Sequence, residues 1–285
     1  MLQPFSFKWK SELFLAEHHL RSGAFNMPSY HYHDAYEIYY LVSGERRYFI
    51  KDRTYQISTG DLVLINPNEL HKTNEASSPF HERILLNFNK EFLNGWTESD
   101  TYLSIFNHNI SVFSLAPLQQ GKIHKLLLKI INECDKQLEG FLDCSKALLT
   151  ELLIEIFRYL HQTPRPIWDK ANETSEKIFE VVRYLNDHYW ESLSLKTIKD
   201  RFFISPYHFS RTFKRITGFN FIEYLNSVRT REAQKLLKET RLSVTEISEK
   251  VGFENLTHFG RVFKKITGVS PSTYRKSHMS PLFIN

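Results

Sequence analysis

Two groups of residues have the types and spacing to do chemistry. The first is basic and occurs twice. His208-Phe209-Ser210-Arg211-Thr212-Phe213-Lys214-Arg215-Ile216-Thr217-Gly218 returns fifty residues later as His258-Phe259-Gly260-Arg261-Val262-Phe263-Lys264-Lys265-Ile266-Thr267-Gly268, with eight positions identical. A tyrosine follows each copy at the same offset, Tyr224 and Tyr274. Arg211 and Arg261 hold equivalent places, and a guanidinium there can pair with guanine in a major groove or grip a phosphate. The second group is His31, His33, Glu37 and His71. Three imidazoles and a carboxylate suit a first-row metal ion. The same four side chains could instead line a pocket for a small ligand or satisfy one another.

The elements that position the basic group are short helices. Phe209 and Phe213 lie one turn apart with Ile216 beyond them, so they make one apolar stripe that leaves Arg211, Lys214 and Arg215 outside it. Ser205-Pro206 opens the helix as N-cap and first helical residue, and Gly218 or Gly268 closes each copy in a left-handed conformation. A shorter helix precedes each copy, over Leu195 to Phe202 and Val244 to Val251, the second opened by the capping box Ser243 to Glu246. Val251-Gly252-Phe253 supplies a tight turn. Short helix, tight turn and basic helix make a helix-turn-helix, and here there are two. A helix from Phe221 to Lys238 joins them, opened by the box Asn220 to Glu223, with the expected stripe Ile222, Leu225, Val228, Glu232 or Ala233, and Leu236.

The run from Gly218 through Pro271 to Lys276 resembles the AraC/XylS family of bacterial transcription regulators, and the resemblance extends over about residues 176–276. Where that family carries a small residue at the closest packing point of the first unit, this chain has Lys199; the matching place in the second is Ser248. Lys199 implies a looser or more exposed first unit. The resemblance implies DNA contacts from Tyr207, Ser210 and Arg211 in the first helix, flanked by His208, and from Leu256, Thr257, His258 and Arg261 in the second. Lys214, Arg215, Lys264 and Lys265 sit at helix C-termini and are expected to meet phosphates, although a helix dipole would also favour them there.

Upstream, the chain reads as β. Strands are expected at Leu13 to His19, Tyr36 to Val42, Arg47 to Ile50, Tyr55 to Ile57, Leu62 to Ile65 and Arg83 to Phe88, with turn residues between them. Short strands so spaced predict a sandwich or barrel. His31, His33, Glu37 and Gly44 resemble the first motif of the cupin barrels found at the front of many such regulators. Gly60, Asp61, Pro67 and His71 resemble the second, with one residue missing from the spacing. Tyr39 and Arg46 join His31, His33, Glu37 and His71 as candidate effector contacts if their strands face inward.

From Lys122 to His161 the period turns helical, with stripes Ile123, Leu126, Leu127, Ile130, Ile131, Cys134, Leu138 and then Leu149, Leu152, Leu153, Ile156, Phe157, Leu160, separated at Gly140. Such helices can pack on the barrel, on each other or on a second copy, and the family resemblance implies a homodimer. Pro164 and Pro166 mark an extended linker. A helix bearing Ile178, Val182, Leu185 and Tyr189 begins the last domain. The expected organisation is therefore multidomain: a cupin-like β-barrel plus two helices over 1–162 (barrel to about 110), a linker over 163–172, an all-α double helix-turn-helix domain over 173–278, and a short tail.

Charge agrees with that division. From Glu173 onward there are 19 Lys or Arg against 12 Asp or Glu, whereas the first 172 residues carry 18 against 20. Excess positive charge in one half points to a polyanion partner there. Two cysteines make no disulfide framework and fit a reducing cytoplasm. No signal peptide or membrane span is expected. The function expected is a cytoplasmic, sequence-specific DNA-binding regulator, leaning to activator, whose barrel senses a small molecule, leaning to carbohydrate. Double-stranded DNA is the main partner, with RNA polymerase a further one. No enzyme activity, cofactor or metal is expected. The rival reading is a metal-dependent cupin enzyme with an appended DNA-binding domain, and a third is constitutive DNA binding with a vestigial barrel.

Overall fold

The computed structural model describes residues 4–10, 13–23, 33–77, 79–93, 99–107, 111–162 and 173–278. The chain divides into two compact units, Met1–Asp169 and Lys170–Asn285.

In the first unit the strands are β1 (Phe5–Trp9), β2 (Phe14–Ser22), β3 (Tyr36–Ile50), β4 (Arg53–Ser58), β5 (Asp61–Ile65), β6 (His71–Glu75), β7 (Phe80–Phe88) and β8 (Val112–Ser114). All pair antiparallel, in the order β1-β2-β7-β3-β5-β8, with β4 and β6 also on β3. The sequence reading missed β1, β6 and β8. It also divided β3 at Ser43-Gly44, where the structure has one strand. A bulge does what the expected turn would have done: pairing with β7 slips between Leu41 and Ser43. Pairing with β5 ends at Tyr40 and pairing with β7 at Gly44; from Glu45 onward β3 pairs with β4, and from Arg46 with β6 as well.

The slip changes which residues face inward. Glu37, Tyr39 and Leu41 share a face before the bulge; Arg46, Tyr48 and Ile50 share it afterwards, because one extra residue inverts the two-residue alternation. Tyr39, Leu41, Tyr48 and Ile50 accordingly lie in one buried cluster with Leu15, Val63, Ile65 and Leu85. The opposite face of the same strands, including Ile38, Tyr40, Ile84 and Leu86, is buried in a second cluster with two helices.

Those helices follow a short one, α1 (Ser99–Leu103). They are α2 (Pro117–Lys136) and α3 (Phe141–Gln162), with Gly140 between them as expected. Ile123, Leu127, Ile130 and Cys134 of α2 and Leu149, Leu152, Leu153 and Ile156 of α3 are buried against the sheet and each other. Most of both stripes is thus covered within the chain, while Phe157 and Leu160 at the end of α3 stay partly exposed. Leu138 is not part of the stripe: α2 ends at Lys136, Gln137 takes a left-handed cap, and Leu138 is 65% exposed.

The second unit is α4 (Glu173–Asp187), α5 (Leu195–Phe202), α6 (Pro206–Thr217), α7 (Phe221–Glu239), α8 (Val244–Lys250), α9 (Leu256–Thr267) and α10 (Pro271–His278). Its boundaries follow from local chemistry. The boxes Asn220–Glu223 and Ser243–Glu246 both close reciprocally, and Ser205 caps α6. Ser194 with Thr197, and Asn255, cap α5 and α9 in ways not expected from sequence. Gly218 and Gly268 both end their helices with φ +81°. Tyr189 lies past the end of α4, and Ile222 is 55% exposed because α7 buries Phe221, Tyr224, Leu225 and Val228 instead.

The repeat is also a repeat of packing. Phe213 meets Tyr224 edge-on at 5.7 Å and 81°, and Phe263 meets Tyr274 at 5.6 Å and 78°. Thr217 and Thr267 each donate back to the carbonyl four residues before. The two turns differ. Phe203, the residue matching Gly252, is left-handed at φ +55° and 88% exposed. Lys199 is exposed while Ser248 is buried, in keeping with a more open first unit. A left-handed aromatic carries strain of about 1–2 kcal/mol, partly offset on replacement by the chain entropy of glycine. Phe203→Gly is expected to stabilise the second unit by about 0.5–1 kcal/mol, read as a raised melting midpoint in calorimetry; a lowered midpoint would show that the ring has a packing role.

Candidate nucleic-acid interface and barrel cavity

Amphipathic packing sets the faces of α6 and α9. With Phe209, Phe213, Phe259 and Phe263 wholly buried, the remaining arc of each helix is turned outward. Tyr207, His208, Ser210, Arg211, Lys214 and Arg215 are all exposed on α6. So are Leu256, Thr257, His258, Arg261, Lys264 and Lys265 on α9. Each helix therefore offers a basic surface with an arginine at the same place, one turn before a basic pair at the C-terminus. Leu256 is 46% and Tyr207 77% exposed, large apolar groups left in water at the helix starts.

The second site is a cavity of about 250 Å³ inside the strand unit. It is lined by inward residues of neighbouring strands: Leu15 and Glu17 of β2, Glu37, Tyr39 and Tyr48 of β3, and His81, Arg83, Leu85 and Asn87 of β7. Of the expected effector contacts, His33, Glu37 and Tyr39 line it directly. Arg46 is fully buried beside it, its Nε donating to Thr73 Oγ1 at 3.1 Å. His71 is fully buried with Nε2 3.7 Å from Glu37 Oε2. His31 lies outside the described residues.

Glu37 is the hub. Tyr48 donates its hydroxyl to Oε1 at 2.8 Å, and His33 Nε2 sits 3.0 Å from Oε2. The other ring nitrogens, Nδ1 of His33 and of His71, face the carbonyls of Ala35 and Glu69 at 2.9 and 2.8 Å. Bonds of that kind fix ring orientation and aim both Nε2 atoms at the carboxylate. His33, Glu37 and His71 present ligand atoms within 4.8 Å of one another. That donor set fits a first-row divalent ion.

Glu17, Arg83, Tyr48, His81 and Asn87 were not picked out from the sequence. In Phe80–Phe88 the alternation His81, Arg83, Leu85, Asn87 was visible, but nothing local says that this polar face is the interior one. Arg83 Nη2 donates to Glu17 Oε2 at 3.0 Å, and its guanidinium lies 5.7 Å from the Tyr39 ring centre. Burial pushes the Tyr39 phenol up to about 12, so the group remains a donor at neutral pH. Burial, and then the charges of Arg46, Arg83 and Arg21, hold His81 down at about 4.

Comparison with known proteins adds sequence relationships. Residues 18–157 match the family model described as AraC-like ligand binding domain, and residues 198–277 match the one described as helix-turn-helix domain. The chain is 30% identical over 269 residues to the HTH-type transcriptional regulator YfiF of Bacillus subtilis, covering 90% of this chain and 82% of that one. It is 28% identical over 229 residues to the arabinose operon regulatory protein of Escherichia coli, covering 78% and 74%. Among solved structures, the C-terminal domain of AraT, a response regulator from Geobacillus stearothermophilus, is 31% identical, with 40% of this chain and 95% of that one covered and a TM-score of 0.38.

Proposed function

This chain belongs to the AraC family of DNA-binding transcription regulators with an N-terminal ligand-binding domain, and from that premise we propose that it is an effector-responsive activator reading two unlike subsites through α6 and α9. The observation that carries the reading is the duplicated basic surface, with Arg211 and Arg261 exposed at equivalent positions on helices whose opposite faces are buried phenylalanines. Two such helices would enter successive major grooves about 34 Å apart, so the subsites should lie about 10 bp apart. Tyr207, His208, Ser210 and Arg211 would read one subsite. Leu256, Thr257, His258 and Arg261 would read the other.

The effector cavity, in this reading, is the space around Glu37, Tyr39 and Arg83, with His33, Arg46 and His71 completing its polar wall. A ligand there acts only through different affinities for two states of the protein. The domains would divide at 1–162, a linker over 163–172, and 173–278. A homodimer would double the subsites. The buried parts of the α2 and α3 stripes are already covered, so such an interface would use the outer surface of these helices or other surface of the unit. An activator of this kind would engage RNA polymerase from its DNA site in the cytoplasm. Among the described residues no helix is long and apolar enough to cross a membrane. We read the barrel as a sensor and not as an enzyme. If His33, Glu37 and His71 hold a divalent ion, it would offer a Lewis-acidic point for a ligand oxygen, and the three side chains would orient that oxygen in the cavity.

The test is selection of genomic fragments by purified full-length protein at physiological salt. Enrichment of a few promoters sharing two subsites one helical turn apart supports the reading; recovery of fragments no better than non-specific binding sinks it. Lys214, Arg215, Lys264 and Lys265 are assigned to phosphates. Lys264→Ala is accordingly expected to weaken all sequences alike and to lower the slope of log affinity against log salt by about 1. A change in base preference at one position would remove that assignment.

A further inference from the structure

The turn of the first helix-turn-helix holds a side chain that neither packing nor backbone preference explains. Phe203 stands at φ +55°, and among the described residues it is the one aromatic in the left-handed region. It is also the most exposed large apolar side chain among them, at 88%. A lone exposed apolar residue is ordinary on a protein surface. One held in a conformation that disfavours any Cβ is not, because glycine would occupy the place without strain. The second copy does use glycine at the matching place, Gly252. Strained residues of this kind persist where the surroundings hold them, and they collect at ligand contacts.

Its position says which ligand. The Phe203 N–H donates to the Lys199 carbonyl at 2.9 Å, which closes α5. Ile204 is buried and Ser205 caps α6, so both residues between Phe203 and the helix are held. The ring therefore stands in water at the opening of α6, four residues before the exposed Tyr207. The N-terminal part of a recognition helix is what reaches base edges in a major groove. Lys199 and Arg201 are exposed on the same stretch and outnumber Asp200, which suits a polyanion better than an apolar protein surface. A phenyl ring has no hydrogen bond to offer a phosphate or a base. The apolar group that a major groove presents is the thymine C5-methyl.

Taking α6 as the groove-reading helix of the reading above, we propose that Phe203 is a specificity-determining residue of the first subsite, its ring covering the methyl group of one thymine at the edge of that subsite. The second unit, with glycine at this turn, lacks the contact, so the two subsites differ here for a reason built into the two turns. The strain at φ +55° is retained for DNA. Replacing the ring with glycine makes the unit more stable and the contact poorer.

The experiment is competition binding of full-length protein to the site recovered by genomic selection. Each thymine in and beside the α6 subsite is replaced in turn by deoxyuridine, which pairs alike and lacks only the methyl. One replacement is expected to weaken the wild-type protein about 3- to 5-fold, the worth of one buried methyl group. Phe203→Gly should bind the unmodified site more weakly by about that factor and be indifferent to that replacement. Phe203→Asn, which tolerates the left-handed backbone without the added freedom of glycine, should do the same, so that the ring and not a loosened turn is what the assay reads. A subsite without thymine, no effect of deoxyuridine, or an effect that both variants keep overturns the inference. So does a loss in the variants that is uniform over all sites, the pattern of a backbone contact. Unchanged DNA binding with lost transcription in vitro also overturns it and assigns the ring to a protein partner. Arg211→Ala on the same sites keeps the two readings apart. If it relaxes preference in this subsite, groove reading by α6 stands whatever Phe203 does; if it too acts uniformly, groove reading fails and the Phe203 contact with it.

Discussion

Gly252→Ala is expected to cost about 2–4 kcal/mol of stability in the second unit, the largest effect of any single methyl group considered. Two causes add. Gly252 has φ +88°, where an L side chain meets its own backbone. An added Cβ would also lie 2.6 Å from the carbonyl oxygen of Trp190 and 2.8 Å from its C and Cα. These are backbone atoms, so no rotamer change relieves the clash. The neighbouring chain is itself held, since Arg229 donates to the carbonyls of Tyr189 at 2.7 Å and Glu191 at 2.8 Å and stands 5.6 Å from the Phe253 ring centre. The turn of the second helix-turn-helix is thereby fastened to the segment leading into the first. Calorimetry of the full chain measures the effect. Gly260→Ala in α9 is the control: it is helical, has nothing within 4 Å of the added methyl, and should gain up to about 1 kcal/mol from helix propensity. If both variants melt alike, close packing at Trp190 is not what position 252 requires.

The second large effect is on DNA. Arg261→Ala should lower affinity by about 1–3 kcal/mol and relax preference at one base pair of the subsite read by α9. Arg211→Ala should do the same in the other subsite. Because the two residues share no partner, the double variant should lose nearly the sum of the two. The folded unit should be unaffected, since both side chains are exposed and the stripe behind them is intact. The measurement is competition binding of full-length protein against the selected site and its single-base variants. A uniform loss over all variants, the pattern expected of Lys264→Ala, would move Arg261 from base reading to phosphate contact.

These predictions draw on different depths of information. Helix α9 could be read almost completely in the sequence. Its apolar stripe and its closing glycine act within a few residues, so period and stop signal define which arc faces out and carry Arg261 with it; only its Asn255 cap was not expected. Helix α6 was read in the same way, with its Ser205-Pro206 start besides, and the duplication tied the two together. Where the helix reading failed, at Leu138, Tyr189 and Ile222, the error was at an element end or in one position of a stripe, where neighbours decide what is covered.

The strand unit was legible only in kind. Alternation along His81 to Asn87 divides residues into two faces, but each face needs a partner before it can be called inside. Here α2 and α3 cover the more apolar face, which leaves the polar one to line the cavity. The bulge at Leu41/Ser43 then inverts the alternation within β3, so Arg46 and Tyr48 join Glu37 and Tyr39 although the spacing is odd. The sequence by itself determined the helices of the last domain and their outward basic faces, because those follow from local periodicity and end signals, and its motifs carried the family resemblance. Only the tertiary structure decided that Arg83 faces Glu17 and Tyr39, that His33, His71 and Tyr48 converge on Glu37, and that Gly252 lies against Trp190, because each depends on register or packing between segments far apart in the chain.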